Sequence, residues 1–148
     1  MTLIQSENNN NYEEIREKFF SFLLKRPCTE KQAENFLLRF CSSKISEQDI
    51  NSLINEAELS GLIDDLTFAK LFVEGHLHWG NAKIFYELNS KGISRENINV
   101  ALEESEDEIS RAYELSNNWK KIGISDKKII TRLLSRGFSH KAAREALS

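Results

Sequence analysis

Three short stretches of the chain share one grammar: Lys44-Ile45-Ser46, Gly92-Ile93-Ser94 and Gly137-Phe138-Ser139. Each is a turn residue, then an apolar residue, then a serine suited to cap a helix by accepting from an orphan amide. The flanks align as well. Ile50, Ile98 and Ala143 stand four residues after the serine, and Ile54, Leu102 and Leu147 stand eight after it. Upstream, Phe40, Leu88 and Leu133 fall five before the apolar turn residue, and Leu37, Phe85 and Ile130 fall eight before it. Ser46 and Ser94 are 48 residues apart, Ser94 and Ser139 45. A period of that size marks supersecondary units that cannot bury their apolar faces alone and stack to do so. The expected fold is all-α: three tandem three-helix repeats forming an elongated, curved array. The expected segments are a disordered polar tail over 1–11 and repeats over 12–62, 63–104 and 105–148.

Local signals place the helices. Tyr12 to Arg26 carries Ile15, Phe19, Phe20, Phe22 and Leu23 at helical spacing, and Pro27 ends that helix. Thr29 with Gln32 forms a capping box for a helix in which Ala33, Phe36, Leu37 and Phe40 face inward. Ser46 opens a third helix, closed by Gly61. In the middle of the chain the pattern predicts helices from Asp65 to about Trp79, Asn81 to about Ser90 and Ser94 to about Glu103. Gly92 supplies the left-handed turn after the second of these. Ser105 with Glu108 reads as a capping box for the next helix, which Gly123 ends. Ser125 and Ser139 cap the last two helices. On the penultimate one Ile129, Ile130, Leu133 and Leu134 form the buried face.

One proline and six glycines in 148 residues leave little room for anything but helices and short connections. No apolar run approaches the roughly 20 residues needed to span a bilayer. The N-terminus lacks a basic region followed by an apolar one, so a cytoplasmic protein is expected. Cys28 and Cys41 have no partner at metal-ligand spacing and read as filler. His76 and His78, two apart on the expected helix, would point roughly 200° apart and not share a metal. No phosphate loop or catalytic constellation is present. The expectation is a non-enzymatic protein without metal or cofactor.

Charge is distributed unevenly. Residues 117–148 hold Lys120, Lys121, Lys127, Lys128, Arg132, Arg136, Lys141 and Arg144 against Asp126 and Glu145, a net +6, so the remainder carries −9. Such asymmetry speaks of interaction, not of fold. Lys128, Arg132 and Arg136 recur every four residues opposite the buried face, and Lys141 and Arg144 follow on the last helix. These five are the candidate partner- or DNA-binding residues. The basic face shows no aromatic-rich platform on which single strands could stack. The run Glu103 to Glu108 reads as a solvated helix start or as a contact for a basic partner.

Gly61-Leu62-Ile63-Asp64-Asp65 with Phe68-Ala69, then Lys91-Gly92-Ile93, then Arg136-Gly137-Phe138-Ser139, together resemble the RecX family of bacterial RecA regulators. The likeness covers about Tyr12 to Ser148. It departs at the first turn, where the family usually has glycine and this chain has Lys44. The resemblance implies tandem three-helix repeats and a monomer without cofactor. It implies binding to the RecA recombinase and its filament on single-stranded DNA, with lowered recombinase and ATPase activity. Asp64, Asp65, Phe68, Ala69, Lys91, Gly92, Arg136, Gly137 and Phe138 are the motif positions, mainly structural in role. The rival expectation is a helical DNA-binding module acting on free nucleic acid; a third is an adaptor scaffold that binds none.

Overall fold

The computed structural model describes residues 3–41 and 44–148, with side chains from residue 11 onward. Among these residues there are nine α-helices and no strand. They are α1 (Leu3–Lys25), α2 (Glu30–Cys41), α3 (Glu47–Leu59), α4 (Asp65–Gly75), α5 (Asn81–Ser90), α6 (Arg95–Glu103), α7 (Glu108–Lys121), α8 (Asp126–Ser135) and α9 (His140–Ala146). The chain divides into two compact units, one running to Phe68 and the other from Ala69 to Ser148.

The serines do what their spacing foretold. Ser46, Ser94, Ser125 and Ser139 each take extended backbone and accept from the amide three residues on: Asp49, Asn97, Lys128 and Ala142. Thr29 and Gln32 exchange hydrogen bonds across the start of α2, at 3.0 and 3.2 Å, as a capping box. Gly61, Gly92, Gly123 and Gly137 all have positive φ, at 79°, 88°, 88° and 88°, and follow the C-termini of α3, α5, α7 and α8. A left-handed residue there lets the next amide reach back to the last orphan carbonyls.

In the first unit the core is built on Phe19, Leu37, Leu53 and Ala57, all without solvent exposure, with Ile15, Leu23, Ile50 and Ile63 around them. Full burial of a side chain the size of Phe19 stabilises by about 1.5–3 kcal/mol. Phe22 stacks on Phe36 with centroids 4.2 Å apart. Arg16 on α1 pairs with Glu56 on α3. In the second unit Ala69, Val73, Ile84, Leu88, Ile93 and Ile98 are buried, as are Ala112, Ile129, Leu133 and Phe138. Three alanines on α9, Ala142, Ala143 and Ala146, are buried too, and α9 lies against α7 and α8. Small side chains allow that close approach.

Several expectations are corrected. α1 begins at Leu3, so the polar stretch expected as a disordered tail over 1–11 is helical from its third residue; Met1 and Thr2 lie outside the described residues. Once the stretch from Tyr12 is helical, each preceding residue adds a backbone hydrogen bond without a new nucleation cost. Phe40 is 67 % exposed, not inward-facing. The buried ladder of α2 is Ala33, Leu37 and Cys41, and Phe40 is rotated about 100° from Cys41. Ile130 and Leu134 are only half-buried; Ile129 and Leu133 carry the buried face of α8.

α4 stops at Gly75, not near Trp79. Two tight turns follow, with the His76 amide donating to the Val73 carbonyl and the Trp79 amide to the His76 carbonyl, both at 3.0 Å. His76 and His78 therefore do not oppose each other across a helix; their rings lie 6.1 Å apart. The N-cap of α7 is Asp107, accepting from the Ser110 amide at 2.8 Å. Ser105 instead donates its hydroxyl to Glu74 at 2.9 Å. A carboxylate at the N-cap competes well because it also meets the positive end of the helix dipole.

Candidate functional site

The motif positions make the following contacts. The Asp64 carboxylate accepts from the Thr67 amide at 3.0 Å and caps α4. Asp65 reaches across to accept from the Glu30 amide at 2.9 Å, holding the start of α2. The Phe68 amide donates to the Asp64 carbonyl at 2.9 Å, Ala69 is fully buried and Phe138 is 3 % exposed. Lys91 is the C-cap of α5 and places its ammonium 5.8 Å from the centre of the Phe72 ring. Gly92 makes the left-handed turn between Lys91 and the buried Ile93.

Gly137 does more than turn the chain. Its backbone crosses that of Gly80 so closely that a Cβ on Gly80 would lie 2.1 Å from the Gly137 carbonyl carbon. A Cβ on Gly137 would lie 2.5 Å from Cβ of Lys83. Across this crossing the Gly80 amide donates to the Arg136 carbonyl at 2.8 Å, and the Ala82 amide to the Gly137 carbonyl at 3.3 Å.

Beside it, Glu108 accepts from the Asn81 amide at 2.7 Å with one oxygen and from the Ser139 amide at 3.1 Å with the other. One carboxylate thus serves the starts of α5 and α9. Arg111, 3 % exposed, donates to the carbonyls of Trp79, Leu77 and Glu106 and to the Asn81 side chain. Burial pushes its guanidinium pKa down, and the charges of Glu108, Glu106, Asp107 and Glu74 oppose that. Asp107 is held below the usual carboxylate range by the amide and hydroxyl of Ser110. Much of the acidic run is therefore engaged within the protein, Glu104 with Lys70 at 2.8 Å included.

Cations meet aromatic rings in two groups, one on each side of the crossing. Arg136, at the end of α8, sets its guanidinium 5.2 Å from the centre of the Trp119 ring, and Arg132 sets its own 5.5 Å from the same ring. On the α5 side the Lys83 ammonium stands 4.2 Å from the centre of the Trp79 ring. His76 packs 4.4 Å from Trp79 and 3.9 Å from Phe72, and its Nδ1 lies 2.7 Å from the Phe72 carbonyl oxygen. The His78 imidazole is pushed below its ordinary pKa by burial first, then by the positive charges of Arg136, His76 and Lys83.

Of the five expected binding residues, the structure gathers two, Arg132 and Arg136, on Trp119. Lys128 is exposed one helical turn before Arg132, and Lys141 and Arg144 are exposed on α9. Among the described residues none of the five is in an ion pair. The face expected to show no aromatic-rich platform does carry one indole, that of Trp119, under Arg132 and Arg136. Trp79, Lys83, His78 and Trp119 were missed because helix packing, not spacing along one helix, brings them to these groups. The pairing of Arg132 and Arg136 at four residues was the one part readable beforehand.

Among the described residues no group of three or more His, Cys, Asp or Glu could hold a metal ion, and no helix is long and apolar enough to cross a membrane.

Fold and surface together define an all-α helical-repeat protein with a cation- and aromatic-lined face. Comparison with known proteins narrows this class. Residues 64–102 match the family model described as RecX, second three-helix domain. The regulatory protein RecX of Pectobacterium atrosepticum is 28 % identical over 141 residues, spanning 86 % of this chain and 81 % of that protein. The crystal structure of RecX from Lactobacillus salivarius superposes with a TM-score of 0.79 at 23 % identity, covering 94 % of this chain and 96 % of that one. A second crystal structure, of regulatory protein RecX, gives 0.73 at 18 % identity over 93 % of this chain and 72 % of that one. Over residues 64–102 the chain matches the RecX family, and along most of its length it is similar to RecX regulatory proteins in sequence and fold.

Proposed function

We propose that this protein binds RecA, or the RecA filament on single-stranded DNA, and lowers its recombinase and ATPase activity. Similarity to RecX regulatory proteins supports the class, and one observation carries the reading here: a +6 C-terminal segment whose five candidate cations have no ion-pair partner among the described residues. Unpaired cations on ordered helices are free to meet an acidic protein surface or phosphates without first breaking an internal pair. The repeats over 12–62, 63–104 and 105–148 are the modules that contact the filament, acting in the cytoplasm as a monomer without catalysis. The test is ATP hydrolysis by the host RecA on single-stranded DNA with this protein added. Inhibition at sub-stoichiometric amounts is expected, and reversal of Lys141 and Arg144 to glutamate weakens it. Unchanged hydrolysis at several-fold excess over filament ends overturns the reading.

The second reading is a module that binds free nucleic acid. The Arg132–Trp119–Arg136 cluster favours it, because it supplies the stacking surface that pure charge lacks.

A further inference from the structure

The first unit carries a groove that the proposed regulatory role leaves unused. It lies between α1 and the end of α2 and holds about 570 Å³. That volume falls within the roughly 300–1,000 Å³ of sites that bind small molecules. Buried Ile15 and Cys41 belong to its lining, with half-buried Phe22 and Phe36 and the largely exposed Phe40. The three phenyl rings form a row: Phe22 stacks on Phe36 at 4.2 Å, and Phe36 meets Phe40 at 5.1 Å. Along α1 the lining runs from Asn11 to Lys25, about 21 Å of helix at 1.5 Å per residue, so the groove suits an elongated guest.

Charge narrows what that guest is. Residues 1–68 are acidic, with seven Lys and Arg against twelve Asp and Glu. Yet three of those seven cations, Lys18, Lys25 and Lys44, line this one groove, against Glu14 and Glu17. Lys18 holds Glu14 at 3.5 Å, while neither Lys25 nor Lys44 is in an ion pair among the described residues. Arg39 adds a guanidinium 5.8 Å from the centre of the Phe40 ring. We infer that this groove binds a long-chain carboxylate, with its hydrocarbon tail along Phe22, Phe36 and Phe40 and its head drawn to the rim lysines Lys25 and Lys44. A neutral chain would leave those ammonium groups idle, and a cationic one would be opposed by them. A polyanion would have to spread over the acidic surroundings, whereas a single carboxylate need meet only the rim. The inference goes beyond the regulatory reading and does not depend on it.

The test titrates the full chain by calorimetry with octanoate, decanoate and dodecanoate, each below its micelle concentration. Dodecyltrimethylammonium supplies the reversed head group on the same tail. A methylene that leaves water entirely strengthens binding about fourfold, and one lying in an open groove about twofold. Dodecanoate should therefore bind at least about tenfold more tightly than octanoate, and the ammonium at least about tenfold more weakly than dodecanoate. Phe40→Ser removes a largely exposed ring, so the urea midpoint holds while dodecanoate affinity falls about fivefold or more. The variant K25E/K44E loses the preference for carboxylate over ammonium and keeps the gain with chain length.

Equal binding of the two head groups, no gain with chain length, or unchanged affinity in Phe40→Ser overturns the inference. So does binding seen only with phosphatidylglycerol vesicles, which would make the groove a membrane contact. A dimer in sedimentation that Phe40→Ser breaks would give the groove to a second copy and overturn the inference as well. RecA takes no part in these measurements, so their failure is distinct from a failure to inhibit ATP hydrolysis.

Discussion

Replacing Gly80 by alanine tests the crossing on which the candidate surface is built. The backbone of Gly80 has φ −76° and ψ 165°, a conformation alanine accepts without strain, so any cost comes from space. The added methyl would sit 2.1 Å from the Gly137 carbonyl carbon, 2.1 Å from the Phe138 nitrogen and 2.2 Å from the Gly137 oxygen. All three are main-chain atoms and cannot rotate away. Relief means separating the two strands of chain, which breaks the bonds from Gly80 to Arg136 and from Ala82 to Gly137. Overpacking costs about 1–3 kcal/mol and each lost hydrogen bond about 0.5–1.5 kcal/mol, giving roughly 2–6 kcal/mol. Gly123→Ala is the control. That glycine has φ 88° but nothing within 4 Å of an added Cβ, so it loses only the left-handed preference, about 1–2 kcal/mol. Urea unfolding measures both, by the shift in midpoint at constant slope. Gly80→Ala should be the more destabilised variant, and should also weaken hydrogen-exchange protection at Ala82. If it proves no worse than Gly123→Ala, the close crossing does not exist in solution.

Other outcomes follow from the same contacts. Arg111→Met leaves the Trp79 and Glu106 carbonyls and the Asn81 side chain without their donor in a buried site, and should cost roughly 2–5 kcal/mol in urea unfolding; a loss below about 1 kcal/mol would mean that water replaces the guanidinium. His78 has a lowered pKa when folded, so the unfolded chain takes up the proton first and stability falls as pH drops below the ordinary value of 6.5. Urea midpoints between about pH 7.5 and about pH 5.5 should show that loss, and His78→Gln should remove part of it; an unchanged slope in the variant would assign the effect elsewhere. Burial, then the charge of Asp65, raises the Cys28 thiol, with Arg26 opposing. In a Cys41→Ala protein, Cys28 should react with a thiol reagent at mildly alkaline pH far more slowly than after denaturation, and equal rates would show the site to be open.

Most of the helical frame could be read from residues because its signals are local. Ser46, Ser94, Ser125 and Ser139 cap helices through atoms only three residues apart, and each glycine turn follows its helix directly. The failures share a different cause. His76, Leu77 and Trp79 continue an apolar rhythm past Gly75, yet the chain leaves the helix there to reach the crossing. Gly80 looks like an ordinary helix start, and nothing near it in sequence announces that Gly137 lies against it. Trp119 counts as a core residue by spacing, and only the packing of α8 on α7 shows that Arg132 and Arg136 rest on it. Arg111 reads as one more surface cation, although the carbonyls that surround it come from residues as far back as Leu77. Local chemistry was visible; what two distant segments do to each other was not.

Asp65 has a practical consequence for anyone who would cut this protein into pieces. The repeat pattern invites a break just after Leu62, yet the carboxylate that satisfies the Glu30 amide belongs to the helix beyond that point. A fragment ended there would carry an α2 whose first turn lacks its partner, and would fray from that end. An excised piece that includes Asp65, and runs on to Phe68, keeps the joint closed.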